Sequence, residues 1–160
     1  MPKLYMLIGV PGSGKSTWYN KYREGNNNPH VLASTDFLID LVAKLSNKTY
    51  DDVFKDTIKS AEKIMYELVS ISVKNNADII WDQTNLNRKT RAKKLIMIPD
   101  HYEKIAVFFP VPVDLYDRLK RRGDEQGKNI PIDVVRNMID NLEYPQHDEG
   151  FTSIVTAGET

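Results

Sequence analysis

The chain has 160 residues, 22 basic and 22 acidic side chains, no cysteine and a formal net charge of zero at pH 7. That length suits a single domain spanning residues 1–160, with roughly two-thirds of the unfolded surface buried. Balanced charge excludes a whole-protein field that draws the chain to nucleic acid or membrane, so any polyanion site is local. The absence of cysteine excludes disulfides and thiolate metal sites, and no apolar run reaches the ~18 residues of a membrane helix. These features predict a protein of the cytoplasm without a membrane partner.

In chain order, Leu4 to Val10 is a continuous apolar run, as expected of a central parallel strand covered on both faces. Lys15 to Arg23 reads as a helix, closed by Gly25 and the Asn26-Asn27-Asn28-Pro29 turn. A second strand covers Val31 to Ser34, followed by a helix from Asp36 to about Leu45. Val53, Ile58, Ala61, Ile64, Met65, Leu68, Val69 and Ser72 recur at helical spacing, which predicts a long helix from about Asp51 to Lys74. Ala77 to Trp81 is a third strand ending on Asp82, and a basic helix begins near Asn87 and runs to about Ile98, before Pro99. Lys104 to Phe109 forms a fourth strand, and a helix from Val113 to about Arg122 leads into a polar segment from Gly123 to Asn129. Pro131 opens a last helix to about Leu142, and Phe151 to Ala157 is an edge strand. Strands alternating with helices imply an α/β fold with a parallel, doubly wound sheet.

The turn after the first strand carries the chemistry. Gly9, Gly14, Lys15 and Ser16 match G-x-x-x-x-G-K-[ST] without substitution. Gly12, Ser13 and Gly14 let the backbone curl so that amide N–H groups face phosphate oxygens, at the positive end of the helix that Lys15, Ser16 and Thr17 begin. Lys15 is placed to reach β- and γ-phosphates, and the Ser16 hydroxyl to ligate magnesium. The loop specifies a triphosphate and leaves the reaction open. The N-K-x-D segment that reads guanine is missing, which argues against a GTPase, and the size favours a small kinase.

Asp36 and Asp82 lie at the carboxyl ends of the second and third strands, where ligand sites of open parallel sheets form. Asp36 fits a general base and equally a helix N-cap, with Ser34 and Thr35 as competing caps. Asp82 fits a holder of magnesium, its water or the Ser16 hydroxyl, and also a turn cap. Arg118 and Arg122 share a helical face before the glycine-containing segment, as lid arginines or as a solvated helix end. The run Arg88-Lys89-Thr90-Arg91-Ala92-Lys93-Lys94 places five cations in seven residues and suits either a polyanionic acceptor or a solvated helix face.

With these residues in view, the chain resembles the kinase domain of the phage polynucleotide kinase and phosphatase family, which phosphorylates 5′-hydroxyl ends of RNA and DNA. The resemblance lies in Pro11 to Trp18, in Asp82-Gln83-Thr84-Asn85-Leu86-Asn87, in Arg118 to Gly123 and in Pro131 to Arg136. It implies a P-loop kinase fold, a five-stranded parallel sheet of order 2-3-1-4-5 with a helical lid. It also implies ATP and magnesium on Lys15 and Ser16, Asp36 as the general base, and Arg118 and Arg122 as lid arginines. Gln83, Thr84, Asn85 and Arg88 would stand on the acceptor side, the partners would be 5′-hydroxyl RNA or DNA ends, and a phage-encoded protein would work in the host cytoplasm. No protein partner is indicated. The chain departs from the family by carrying Ile39 where phage members place an arginine for the acceptor phosphate, by having Gln83 before Thr84-Asn85 with the carboxylate one position earlier at Asp82, and by lacking a phosphatase segment. Two rivals remain at this stage, a kinase of a nucleoside or other small hydroxyl compound and a non-catalytic nucleotide-binding module.

Overall fold

A computed structural model describes residues 1–158. Five parallel strands form one sheet in the order β2-β3-β1-β4-β5. They are β1 (Lys3–Ile8), β2 (His30–Ala33), β3 (Asp78–Asp82), β4 (Glu103–Phe108) and β5 (Ser153–Thr156). The order is the expected one, and it follows from burial. Leu4, Met6, Leu7 and Ile8 of β1 and Ile79, Ile80 and Trp81 of β3 have no exposed surface, so these strands take the middle, while polar-flanked β2 and β5 take the edges. Among the described residues, six α-helices connect the strands: α1 (Lys15–Gly25), α2 (Thr35–Ser46), α3 (Tyr50–Lys74), α4 (Arg88–Leu95), α5 (Leu115–Gln126) and α6 (Ile132–Asn141). Among the described residues, no helix is long and apolar enough to cross a membrane.

Two helix ends fix the shape of the site. The Ser34 hydroxyl accepts the Phe37 amide at 3.2 Å and so caps α2, which leaves the Asp36 carboxylate uncommitted to the backbone. Thr49 and Asp52 form a reciprocal capping box at the start of α3. Ile39, Ala43, Val53 and Ala61 then close a small core between α2 and α3.

The principal departure from the sequence reading is α5. It runs through Gly123 to Gln126 instead of stopping near Arg122, and the stop is Gly127, whose backbone has φ of 65°. Gly123 serves a close approach: a Cβ there would meet Asn129 Oδ1 at 2.3 Å, where the chain doubles back across the helix. The interior glycine costs about 1 kcal/mol of helix propensity.

Candidate active site

The site grows from the β1–α1 turn. Gly14, with φ of 106°, precedes α1 in the left-handed region, and no side chain caps the helix. A residue with Cβ would be strained there, and the first N–H groups of α1 remain directed at the cleft. Leu115 and Leu119 of α5 press on Gly12, where a Cβ would come within 3.3 and 3.2 Å of them. Lys15 Nζ donates to the carbonyls of Gly9 at 2.6 Å and Val10 at 3.1 Å, which bends the side chain over the loop. Burial pushes its ammonium down to about 8, while the charges of Asp82 and Asp36 pull it upward. Burial likewise pushes the Asp82 carboxyl up, and Lys15 opposes that shift.

These groups line a cleft of about 1390 Å³ that Asp36, Thr84, Arg118, Arg122 and Lys128 also border. The volume exceeds the ~300–1,000 Å³ of a pocket for one drug-sized molecule. Arg118 Nη1 donates to the Gly12 carbonyl at 3.3 Å while its Nε pairs with Asp114 at 2.9 Å, so α5 rests directly on the phosphate loop. Arg122 lies one turn further along and borders the cleft, as does Arg121.

At the start of α3, Tyr50 Oη donates to Asp36 Oδ1 at 2.6 Å. Burial, followed by the Asp36 charge, pushes the Tyr50 phenol far above its ordinary value and keeps it a donor. Lys128 Nζ lies 5.0 Å from the Tyr50 ring centroid and pairs with Asp40 at 2.9 Å. Sequence reasoning missed Tyr50 and Lys128. The only signal was a tyrosine at the first position of the long helix and a lysine beside Gly127.

The structure brings Lys15, Ser16, Thr17, Asp36, Asp82, Gln83, Thr84, Arg118 and Arg122 together in one cleft. Ser13 lies beneath the loop, its hydroxyl buried without a hydrogen-bond partner. Asn85 and Arg88 do not line the cleft, and burial takes Asn85 off the acceptor side. Asn85 is 1% exposed, adopts φ of 48° and donates to the Leu7 carbonyl at 2.8 Å. Its side chain fixes the β1–β3 junction. Arg88 pairs with Asp148 at 2.8 Å beyond the cleft lining.

Two of the five cations of the basic run, Arg91 and Lys94, are internal, whereas Lys89 and Lys93 are exposed. Arg91 is fully buried against Glu149, and Lys94 donates to Gln83 Oε1 at 2.6 Å and to the Asn85 side chain. Burial pushes Lys94 down to about 8. A side chain from this helix reaches the cleft only indirectly, because Gln83 Nε2 in turn lies 3.5 Å from Thr35 Oγ1. Ile39 has no exposed surface and belongs to the α2–α3 core. Its position does not face the cleft.

For a metal, the cleft offers the Ser16 hydroxyl and the Asp82 carboxylate. No group of three or more His, Cys, Asp or Glu side chains is clustered among the described residues. Hard oxygen donors in this small number suit magnesium, which keeps waters and takes phosphate oxygens as ligands.

A family model described as an AAA domain matches residues 4–145. Among curated proteins, the chain is similar to heterogeneous nuclear ribonucleoprotein U-like protein 2 of Mus musculus, at 27% identity over 98% of this chain and 22% of the relative. It is also similar to L-seryl-tRNA(Sec) kinase of Methanococcus maripaludis, at 25% identity over 89% of this chain and 53% of that protein. The chain therefore spans about a fifth of the first relative and about half of the second. Among solved structures, it superposes on a chain of the PezAT toxin-antitoxin system of Streptococcus pneumoniae with a TM-score of 0.72 and 21% identity, covering 98% of this chain and 66% of that one. It superposes on a chain of the Pnkp1/Rnl/Hen1 RNA repair complex with a TM-score of 0.68 and 23% identity, covering 94% and 46%. These likenesses show a P-loop kinase fold.

Proposed function

The chain belongs to the AAA domain family, and from that premise we propose that it transfers the γ-phosphate of ATP to the 5′-hydroxyl end of a polynucleotide. One observation carries the reading. The proposed base Asp36, held by Tyr50, stands in the same cleft as Lys15 of the phosphate loop and the arginines of α5. The acceptor class rests on the resemblance carried by the Asp82 to Asn87 motif, of which Asp82, Gln83 and Thr84 line the cleft, and on relatives whose names concern RNA.

In this mechanism Asp36 takes the proton of the acceptor hydroxyl as its oxygen attacks the γ-phosphorus. The bond from that phosphorus to the bridging oxygen of ADP breaks in line, and ADP departs with the electron pair. Lys15 and Arg122 stabilise charge on the transferring group, and Arg118 keeps α5 seated on the loop. Magnesium supplies charge neutralisation on the phosphate oxygens when bound, with Ser16 and Asp82 as the residues that would hold it.

A second reading has its own observation. Ile39 is buried and Lys128 is paired with Asp40, so position 39 presents no cation to an acceptor phosphate. This favours a nucleoside or other small hydroxyl compound. Offering oligonucleotides of increasing length together with a free nucleoside and a polyol separates the readings. Preferred turnover of the oligonucleotide supports the first, and turnover of a small compound that oligonucleotides neither share nor inhibit overturns it.

The depressed Lys15 gives a pH dependence. A bound phosphate favours the ammonium and raises its pKa above the value of about 8 in the free protein. Affinity for ATP is therefore fully present below about 8 and falls as the pH rises through the higher pKa of the complex. Titration calorimetry in buffers of different ionisation enthalpy, at a pH above about 8, is expected to show proton uptake on ATP binding.

A further inference from the structure

The segment that follows α5 is fastened to the start of α3. Asp51 N donates to the Gly127 carbonyl at 3.1 Å, and Asp51 Oδ2 accepts both the Asn129 amide at 2.9 Å and its side-chain nitrogen at 3.0 Å. A Cβ at Gly127 would meet Thr49 Cβ at 2.5 Å, so the fit is close enough to demand glycine. Between these contacts sits Tyr50. Its ring carries Lys128 and touches Phe54 at a centroid distance of 5.6 Å, and its hydroxyl reaches Asp36. Asp36 itself is exposed, on the first turn of α2, and its Oδ1 is held by Tyr50. An exposed carboxylate left to itself samples several rotamers, and only some aim an oxygen at the acceptor.

We propose that Tyr50 is a positioning residue: its hydroxyl holds Asp36 Oδ1 so that the other oxygen meets the acceptor hydroxyl, and docking of Gly127–Asn129 holds Tyr50. The same docking sets the register of α5, on which Arg122 lies less than two turns before the fastened segment. One contact surface thus aligns the base on the acceptor side and the arginines on the phosphate side. The phenol is suited to the task because burial and the Asp36 charge keep it protonated, so it remains a donor across the working pH range. This assignment rests on the functional reading above, in which Asp36 is the base.

Tyr50→Phe keeps the ring, the Lys128 contact and the backbone junction, and removes only the hydroxyl. With a 5′-hydroxyl oligonucleotide and saturating ATP, kcat falls about tenfold, the worth of one aligned hydrogen bond, while KM for ATP stays within about twofold. The thermal midpoint stays within a few degrees, because an exposed partner is left in water. Lys128→Met lowers kcat by a similar factor, and the double variant is no slower than the slower single one, since both act through one carboxylate. Undiminished kcat in Tyr50→Phe, or multiplicative losses in the double variant, overturns the assignment of Tyr50. A wild-type protein that transfers nothing to the oligonucleotide overturns instead the functional reading on which the assignment rests.

Discussion

Asp36→Asn lowers kcat by roughly 10²–10⁴-fold, the usual worth of a positioned general base, and leaves the affinity for ATP nearly unchanged. The substitution is close to isosteric. The asparagine oxygen can still accept the Tyr50 hydroxyl that Asp36 Oδ1 accepts at 2.6 Å, so the wall of the cleft keeps its shape. Helix α2 also keeps its cap, because Ser34 and not Asp36 accepts the Phe37 amide. What is lost is the capacity to take a proton. Steady-state kinetics with varied ATP and varied acceptor separate the two effects, since a group acting in the transition state changes kcat and kcat/KM together. A variant that retains the full rate contradicts the role given to Asp36 and returns it to the status of an ordinary first-turn acid.

The second large effect is on stability and falls on a residue with no place in the cleft. Arg91 Nε and Nη2 form a two-pronged pair with Glu149 at 2.8 and 3.1 Å, and Nη1 donates to the carbonyls of Asn85, Leu86 and Glu143 at 3.0, 3.1 and 3.0 Å. The two side chains are 0% and 4% exposed. One guanidinium thereby ties α4 to the turn after β3, to the chain leaving α6 and to the 3-10 turn over His147–Glu149. Arg91→Met fills much of the same space but leaves a buried carboxylate without its countercharge and the Asn85 and Glu143 carbonyls without this donor, while the Leu86 carbonyl keeps the Glu143 amide. Breaking a buried pair on one side costs about 3–5 kcal/mol. At about 2–4 °C per kcal/mol for a chain near this size, the thermal midpoint drops by roughly 6–20 °C. Urea unfolding of the variant measures the loss directly, and a change below about 1 kcal/mol contradicts the structural role assigned to Arg91.

That pair also shows where the sequence stops being informative. Five cations in seven residues from Arg88 to Lys94 have the composition of a polyanion-binding helix. Three of them are paired across the fold: Arg88 and Arg91 with Asp148 and Glu149, about 60 residues away along the chain, and Lys94 with the side chains of Gln83 and Asn85. Charge density is visible in a local window, whereas pairing across the fold is not. Asn85 is misjudged for the same reason: a polar residue in a site motif suggests contact with substrate, yet its amide closes a backbone gap at Leu7.

The sheet was far more legible. Runs of apolar residues and the turn signals between them locate all five strands, and the phosphate-loop spacing places Lys15 and Ser16 at the first turn of α1. Asp36 and Asp82 at strand ends follow from the rule that parallel sheets bind ligands there. The extent of α5 was harder to read because glycine has two uses. Gly123 permits the close crossing of Asn129, while Gly127 takes the positive φ that ends the helix. Only the tertiary contact distinguishes them. The roles of Tyr50 and Lys128 were out of reach, since each depends on α5 returning to the start of α3.

Arg118 joins the phosphate loop to α5, and Lys128 joins the end of α5 to Tyr50 and so to Asp36. The proposed base, the loop and the arginines are thus parts of one connected wall. The central claim is that this wall moves a phosphoryl group onto a nucleic acid end. Incubating the protein with γ-labelled ATP, magnesium and one oligonucleotide bearing either a 5′-hydroxyl or a 5′-phosphate tests it most directly. The account predicts label on the 5′-hydroxyl strand alone, lost with Asp36→Asn. An unlabelled 5′-hydroxyl strand beside a labelled small hydroxyl compound contradicts it.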